Sequence, residues 1–364
     1  MLEIPLAIVA YVLVMSTVVG IHELGHYLAG RMLGIHPLEI AVGFGRVLIS
    51  RTDRRGCVWA LRAIPLGGFV KFLGDGDVAS ASSVAVAPDQ RRRTLDGAGP
   101  GRRAIVAFAG PLANIVLTFA VLTFLYAGVG RIYTPALVNG VVPGSAADTA
   151  GFRQGDLIVS VGGVGIERFE DIKALILPRA GMSTNIEVLR DGVHVMLTAT
   201  PTPTQIEDNF GRRRDVGQIG LQGAKPVFER VPVANAFRYG ASDMVFQVRQ
   251  ILGFLREVVL GERSVNQLGG PARIAEAAGD AMRSGWASLL FLLAFISINV
   301  GIMNLLPIPV LDGGLILTSG VEAVRGRPLG SRATKFVRYA GVAAVLCLTL
   351  TAVASDVLYL ISKL

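Results

Sequence analysis

Two histidines four residues apart with a glutamate between them are the first residues whose types and spacing could do chemistry: His22-Glu23-Leu24-Gly25-His26. On a helix, positions i and i+4 lie about 40° apart, so both imidazoles leave one face a turn apart. That arrangement suits two ligands of a tetrahedral Zn2+. Glu23 projects about 100° round from His22, close enough to take a proton from a metal-held water. The chemistry this predicts is metal-assisted hydrolysis, with the water's pKa lowered toward about 7 and Glu23 as general base. The setting sharpens the prediction: the motif continues an apolar stretch that begins at Ile4. Ionisable groups inside such a stretch are costly without partners and mark functional sites.

A third ligand is needed, and the inventory is short. The chain has four histidines; the other two are His36, just past the stretch, and His194, far downstream. An extended zinc motif would need glycine at 29 and histidine at 32, where the chain has Ala29 and Met32. Glu39 is a glutamate in a different local context, and two cysteines, Cys57 and Cys347, are too few for a thiolate site. The better candidate is Asp312. It follows 26 uncharged residues and the run Asn304-Leu305-Leu306-Pro307-Ile308-Pro309-Val310-Leu311, whose prolines break a helix at membrane depth. Irregular backbone there is tolerated only when packed in protein or lining a wet cavity. The bland alternative for Asp312 is a helix cap ahead of Gly313-Gly314.

The elements that must carry these residues follow from composition. Of 364 residues, 52% are hydrophobic and 17% charged, too apolar for an ordinary soluble globule, where about 25% are charged. Four charge-poor stretches match the ~20 residues a span requires: Ile4 through Ala29, Ala104–Gly130, Trp286–Leu311 and Tyr339–Leu360. The first lacks a basic leader and a small-residue cleavage site, which predicts a retained span. Arg31–Arg103 holds 12 Lys/Arg against 6 Asp/Glu, and Arg325–Arg338 holds five Lys/Arg and no acid. Arg131–Trp286 is nearly balanced, 17 against 16. The positive-inside rule then puts both basic loops in the cytoplasm and the middle segment and both termini outside. The net charge of +8 is thus largely a matter of topology, and a nucleic-acid role is excluded.

The middle segment changes character. Ala136–Val142 reads as a strand, Pro143–Ala147 as a turn into a short helix and Phe169–Leu177 as a helix. Asn185–Arg190 and Val193–Thr198 form a hairpin through Asp191-Gly192. The run from Val141 to Gly163, with Pro143-Gly144-Ser145 and Ala150-Gly151-Phe152-Arg153-Gln154-Gly155-Asp156, resembles a bacterial PDZ domain over about 65 residues. Such domains bind extended peptides by strand addition. Thr202–Arg214 reads as a polar linker, and Ala234–Leu260 as an amphipathic helix on the outer membrane surface or against the PDZ. Leu268-Gly269-Gly270-Pro271 breaks it, and a short helix over Ala272–Arg283 follows.

With a His-Glu-x-x-His helix in the first span and Asn304-x-x-Pro307-x-Pro309-x-Leu311-Asp312-Gly313 in the third, the chain resembles the site-2 protease family of intramembrane zinc metalloproteases. The inserted PDZ makes it most similar to the bacterial regulator of sigma-E protease group. Val42-Gly43-Phe44-Gly45, Leu61–Lys71, Ala109-Gly110-Pro111-Leu112-Ala113-Asn114 and Leu268–Pro271 fit that group as well; Arg46, where many members have proline, departs from it. The resemblance implies that His22, His26 and Asp312 bind one Zn2+ and that Glu23 is the catalytic base. It assigns Asn304, with Gly43, Phe44, Gly45 and Pro307, to the substrate.

The expected fold is a polytopic α-helical membrane protein with four transmembrane helices. A membrane-associated β-hairpin region (38–72) and an inserted extracytoplasmic α+β PDZ domain complete it. The expected division is 1–130 (spans one and two), 131–203 (PDZ), 204–285 (linker and membrane-surface helices) and 286–364 (spans three and four). The expected function is regulated intramembrane proteolysis in the bacterial inner membrane. Its substrates would be single-span proteins such as an anti-sigma factor or remnant signal peptides, with a peptide or C-terminus at the PDZ. Two other classes are weighed against it. A silent PDZ scaffold would not need every catalytic residue type, and a transporter would show two matching halves, of which there is no sign.

Overall fold

In a computed structural model, residues 3–75, 86–207, 213–260 and 270–362 are described. Leu268 and Gly269 of the expected helix break lie outside them. The chain divides into two compact units, one of residues 1–128 and 232–364 and the other of residues 129–231.

The larger unit begins with α1 (Glu3–Met32), followed by an antiparallel pair, β1 (Pro37–Thr52) and β2 (Val58–Phe72), and by α2 (Pro100–Gly128). Among the described residues, three helical segments are long and apolar enough to cross a membrane: Pro5–Met32, Pro100–Gly128 and Trp286–Asn304. The last has 19 residues and spans about 28 Å, close to the hydrocarbon thickness of a bilayer.

The β pair is not a flat hairpin. Residues Glu39–Val42 pair with Gly68–Lys71 on one side and with Val58–Leu61 on the other, while Ile49–Thr52 pair with Val58–Leu61 again. The pair therefore curls into a four-segment sheet. Its bends fall at Gly43 and Gly45 (φ +90° and +81°) and at Gly67 (φ +130°), conformations that glycine reaches without strain. The Gly68–Lys71 edge lies against α1: a Cβ on Gly68 would stand 2.7 Å from Val19 and 2.9 Å from the Glu23 side chain.

The inserted unit contains β3 (Arg131–Tyr133), β4 (Val138–Val141), α3 (Ala146–Thr149), β5 (Leu157–Val161), β6 (Val164–Gly165) and α4 (Phe169–Ile176). After these come β7 (Thr184–Arg190), β8 (Val193–Ala199), β9 (Thr202–Glu207), β10 (Arg213–Gln218), β11 (Leu221–Gly223) and β12 (Val227–Glu229). A four-stranded sheet runs β6-β5-β7-β8, while β11 pairs with β4 and β12 with β3. Asp191 and Gly192, both at positive φ, close the β7–β8 hairpin as their residue types predict. Val138, Ile158, Ile186, Val188 and Ile172 fill the core. Beside it, the Asp156 carboxylate is fully buried and takes hydrogen bonds from Arg190 Nε (2.7 Å) and Nη2 (2.8 Å) and from the Arg153 N–H. Burial pushes its pKa up, but those donors outweigh burial and hold it below the ordinary carboxylate range.

Two expectations are corrected here. Of the linker expected over Thr202–Arg214, the described residues 202–207 and 213–214 are strand: β9 and β10 pair antiparallel from Thr202↔Gln218 to Glu207↔Arg213. Its polar composition conceals the strand, and the alternating Thr202, Thr204 and Ile206 are the β-branched signal within it. The helix expected over Ala234–Leu260 forms as α5 (Val233–Val259) but packs along α2. Phe237 meets Phe119, Gly240 lies against Thr123, and the Asp243 carboxylate accepts from the Tyr126 hydroxyl. The partners advance together along both chains, so α5 runs alongside the end of α2 in the same direction. A helix lying flat across that end would touch it at one crossing only. Gly240 allows the close approach, and Tyr126 gives the acid a partner.

The larger unit closes with α6 (Pro271–Ser284), α7 (Trp286–Asn304), α8 (Asp312–Arg325) and α9 (Ser331–Ser362). Val14 and Val18 of α1 pack with Leu293 and Ile296 of α7, with Leu117 and Val121 of α2 beside them. Asp356, the single acid in the expected fourth span, caps α6: its oxygens accept from Gly270 N (3.1 Å) and Ala272 N (2.7 Å). Arg273 adds a bond to Ser355 Oγ at 2.9 Å. Near the other end, Arg103 of α2 is paired with Glu322 of α8, whose Oε1 also accepts from Leu329 N at 2.8 Å.

Candidate metal centre

α1 carries His22, Glu23 and His26 on its inner side, with His22 and Glu23 only 7% and 8% exposed. Asp312 arrives from 290 residues downstream of His22, and the broken backbone after α7 brings it there. Ile308 N bonds to Leu306 O (2.7 Å) and Leu311 N to Ile308 O (3.1 Å), turning the chain tightly before α8 begins. Gly313 and Gly314 sit directly on the carbonyls of Leu305, Leu306 and Ile308, where any Cβ would collide. Val310 holds φ +85°, a strained conformation for a β-branched residue, and is exposed at the lip of the cavity. The cap at this helix start is the Leu311 backbone, and the Asp312 carboxylate makes no capping bond. It faces the histidines instead.

His22 Nε2 lies 3.1 Å from Asp312 Oδ2, His26 Nε2 lies 3.4 Å from Asp312 Oδ1, and the two Nε2 atoms are 3.2 Å apart. Bonds of ~2.0–2.1 Å at tetrahedral angles place ligand atoms about 3.3 Å from one another. The three groups are therefore spaced as the corners of a zinc site. Asp312 Oδ2 is buried without a hydrogen-bond donor, a costly state that a cation relieves. His26 Nδ1 lies 2.8 Å from the Val106 carbonyl oxygen, which can only accept a hydrogen bond, so the ring proton sits on Nδ1 and leaves Nε2 free as a ligand atom. Among the described residues, His22, His26 and Asp312 are the one group of metal-ligating side chains gathered this closely.

These groups open on a cavity of about 490 Å3, lined also by Glu23, by Gly68 and Phe69 of β2, and by Asn304, the last residue of α7. Asn304 thus lines the same cavity as the two histidines and Asp312. Gly43, Phe44, Gly45 and Pro307 are not among the lining residues. Gly43 and Gly45 form the sheet bend, Phe44 stacks on Phe69 at 6.2 Å, and Pro307 sits within the turn that delivers Asp312. The residues that sequence spacing did not single out are on α2. Gly110 stands where a Cβ would fall on the His26 ring and 2.9 Å from His22 Cε1, and Asn114 reaches His22. The segment Ala109–Asn114 drew notice only as a run, without roles for its residues.

Comparison with known proteins agrees with this centre. Residues 10–348 match the model of peptidase family M50. The chain is 37% identical to "Putative zinc metalloprotease Atu1380" of Agrobacterium fabrum over 363 residues, covering 97% of this chain and 96% of that one. A Brucella suis protein with the same description is 38% identical, over 90% of this chain and 88% of its own. Metalloprotease MmpA of Caulobacter vibrioides is 35% identical, over 96% and 94%. The chain belongs to peptidase family M50, the membrane-embedded site-2 protease family, and is a zinc metalloprotease.

Proposed function

We propose that this metalloprotease cleaves peptide bonds inside the transmembrane segments of single-span membrane proteins, as in regulated intramembrane proteolysis. The observation that carries the reading is where the centre lies: its donors and Glu23 come from helices α1 and α8 and its cavity from α1, α7 and β2, with α1 and α7 both long enough to cross a bilayer. His22, His26 and Asp312 would hold the zinc, which when bound would supply Lewis acidity to the attacking water and the scissile carbonyl. Glu23 takes the water's proton and returns it to the departing amine nitrogen. A helical peptide bond is shielded, so the substrate must be extended first. The Gly67–Val70 segment, lining the cavity with Glu23, offers a strand edge for that extended chain, and Asn304 lines the same cavity.

The remaining parts fit this role. Helix α9 is read as a fourth span, which leaves the basic 325–338 segment, the end of α8 and the start of α9, cytoplasmic and both termini outside in a bacterial inner membrane. The 129–231 unit is read as a PDZ domain on the outer side, as in the sigma-E regulator group. Its β11 strand has β4 as its one strand partner among the described residues, and Gly223 on β11 comes close to Phe169 of α4. A trimmed C-terminus added there, or a size filter made by the unit, would select anti-sigma factors or remnant signal peptides.

The test uses the purified full chain in liposomes with a tagged single-span anti-sigma factor lacking its outer domain. Product masses should place the cut within the apolar segment, and a zinc chelator should stop it. Cuts confined to the flanking polar regions would overturn the intramembrane reading.

A further inference from the structure

We propose that Asn114 is the positioning residue for His22: its Oδ1 accepts a hydrogen bond from His22 Nδ1–H and fixes the tautomer that leaves Nε2 free for zinc. The proposal rests on the reading of His22 as a zinc ligand.

The argument starts from what an imidazole can do. A neutral ring carries one N–H, so a ring that ligates through Nε2 holds its proton on Nδ1. His22 ligates through Nε2 on geometry, since that atom stands 3.1 Å from Asp312 Oδ2 and 3.2 Å from His26 Nε2. Its Nδ1–H must then meet an acceptor, because a buried donor left unpaired is costly. His26 meets the same requirement with a group that can only accept, the Val106 carbonyl at 2.8 Å. At His22 the partner is the Asn114 side chain, 3.3 Å from Nδ1.

An amide offers a donor at one end and an acceptor at the other, and a half-turn exchanges them. With Nδ2 towards His22, Asn114 Oδ1 is buried with no hydrogen-bond partner. With Oδ1 towards His22, the Nδ1–H that ligation through Nε2 requires meets an acceptor, and the amide NH2 takes the place that Oδ1 held. The residue is held for this task. Asn114 is fully buried, and its backbone carbonyl accepts from Thr118 Oγ1 and from Ser297 Oγ of α7, both at 3.0 Å. A Cβ at Gly301 of α7 would lie 3.3 Å from Asn114 Cβ, so α7 closes over it without a side chain. A neutral amide suits the site because it orients the ring without adding a further buried charge.

Zinc affinity by chelator competition on the purified full chain in detergent tests this. Asn114→Leu keeps the volume and removes the acceptor, and should weaken zinc about 10–100-fold. Asn114→Asp keeps an acceptor in place and should restore binding. Wild-type affinity in Asn114→Leu, or equal loss in both variants, would overturn the proposal. Should the leucine variant fail to fold, 15N-histidine labelling of the zinc-loaded wild type decides, since the chain has only four histidines. The His22 signals, assigned by their loss in His22→Ala, should show the proton on Nδ1; a proton on Nε2 would overturn the role. His22→Ala binding zinc as tightly as wild type would instead remove His22 from the ligands, and Asn114 with it.

Discussion

Glu23→Gln should lower peptide hydrolysis by about 10²–10⁴-fold, the range a positioned general base contributes, while the zinc content stays at the wild-type level. Glutamine keeps the size and hydrogen-bonding reach of glutamate and loses only the ability to take a proton. Glu23 is buried beside His22 and lines the cavity, but it is not part of the close group formed by His22, His26 and Asp312. Its replacement should therefore separate the proton transfer from the metal binding. Turnover of a single-span substrate and zinc per chain, measured on the same preparation, check the two halves. Turnover at the wild-type rate would remove Glu23 from the reaction. Loss of zinc together with turnover would make Glu23 a ligand rather than a base.

The second large effect comes from the smallest possible substitution. Gly110→Ala should weaken zinc binding by about 100-fold or more, beyond the usual cost of disturbing a ligand's support. A Cβ there falls on the His26 imidazole and 2.9 Å from His22 Cε1. His26 has no easy retreat, because its Nδ1 is bonded to the Val106 carbonyl one turn before Gly110. Alanine is the better helix former by roughly 1 kcal/mol, so weakened zinc cannot be ascribed to a weakened α2. Gly101→Ala, near the start of the same helix with open space around its Cβ position, is the control and should leave zinc affinity unchanged. Unchanged zinc affinity in Gly110→Ala would mean the α1–α2 contact is looser than the packing indicates.

Much of the centre could be read in the sequence because its parts are chemically conspicuous. The His22-Glu23-x-x-His26 spacing fixes a helix face by itself, and Asp312 stands out as an acid after a long uncharged run. What could not be read is which surfaces meet. Helix α2 carries Gly110, Asn114 and Thr118 at four-residue spacing, a small and polar stripe distinct from the side bearing exposed Phe108, Leu112 and Val116, but the stripe does not say which helix it meets. Asp356 shows the reverse difficulty. Its position in an apolar stretch draws attention to it as a functional acid, yet its oxygens are engaged by the α6 start, a partner some 80 residues away in sequence. Amphipathic periodicity likewise identified α5 but could not tell a lipid surface from the flank of α2. Both offer an apolar partner, and the deciding contacts, Gly240 with Thr123 and Asp243 with Tyr126, are tertiary.

The central claim is that one zinc ion is held by two imidazole nitrogens and one carboxylate, contributed by helices distant in sequence. X-ray absorption at the zinc edge, on the zinc-loaded wild-type chain and on Asp312→Ala, tests it most directly. The wild type should show two imidazole ligands with the remaining bonds to oxygen, at about 2.0–2.2 Å, and Asp312→Ala should lose the ion or bind it much more weakly. A wild-type spectrum with one imidazole or with sulfur ligands, or an Asp312→Ala chain that keeps its zinc undiminished, would contradict it.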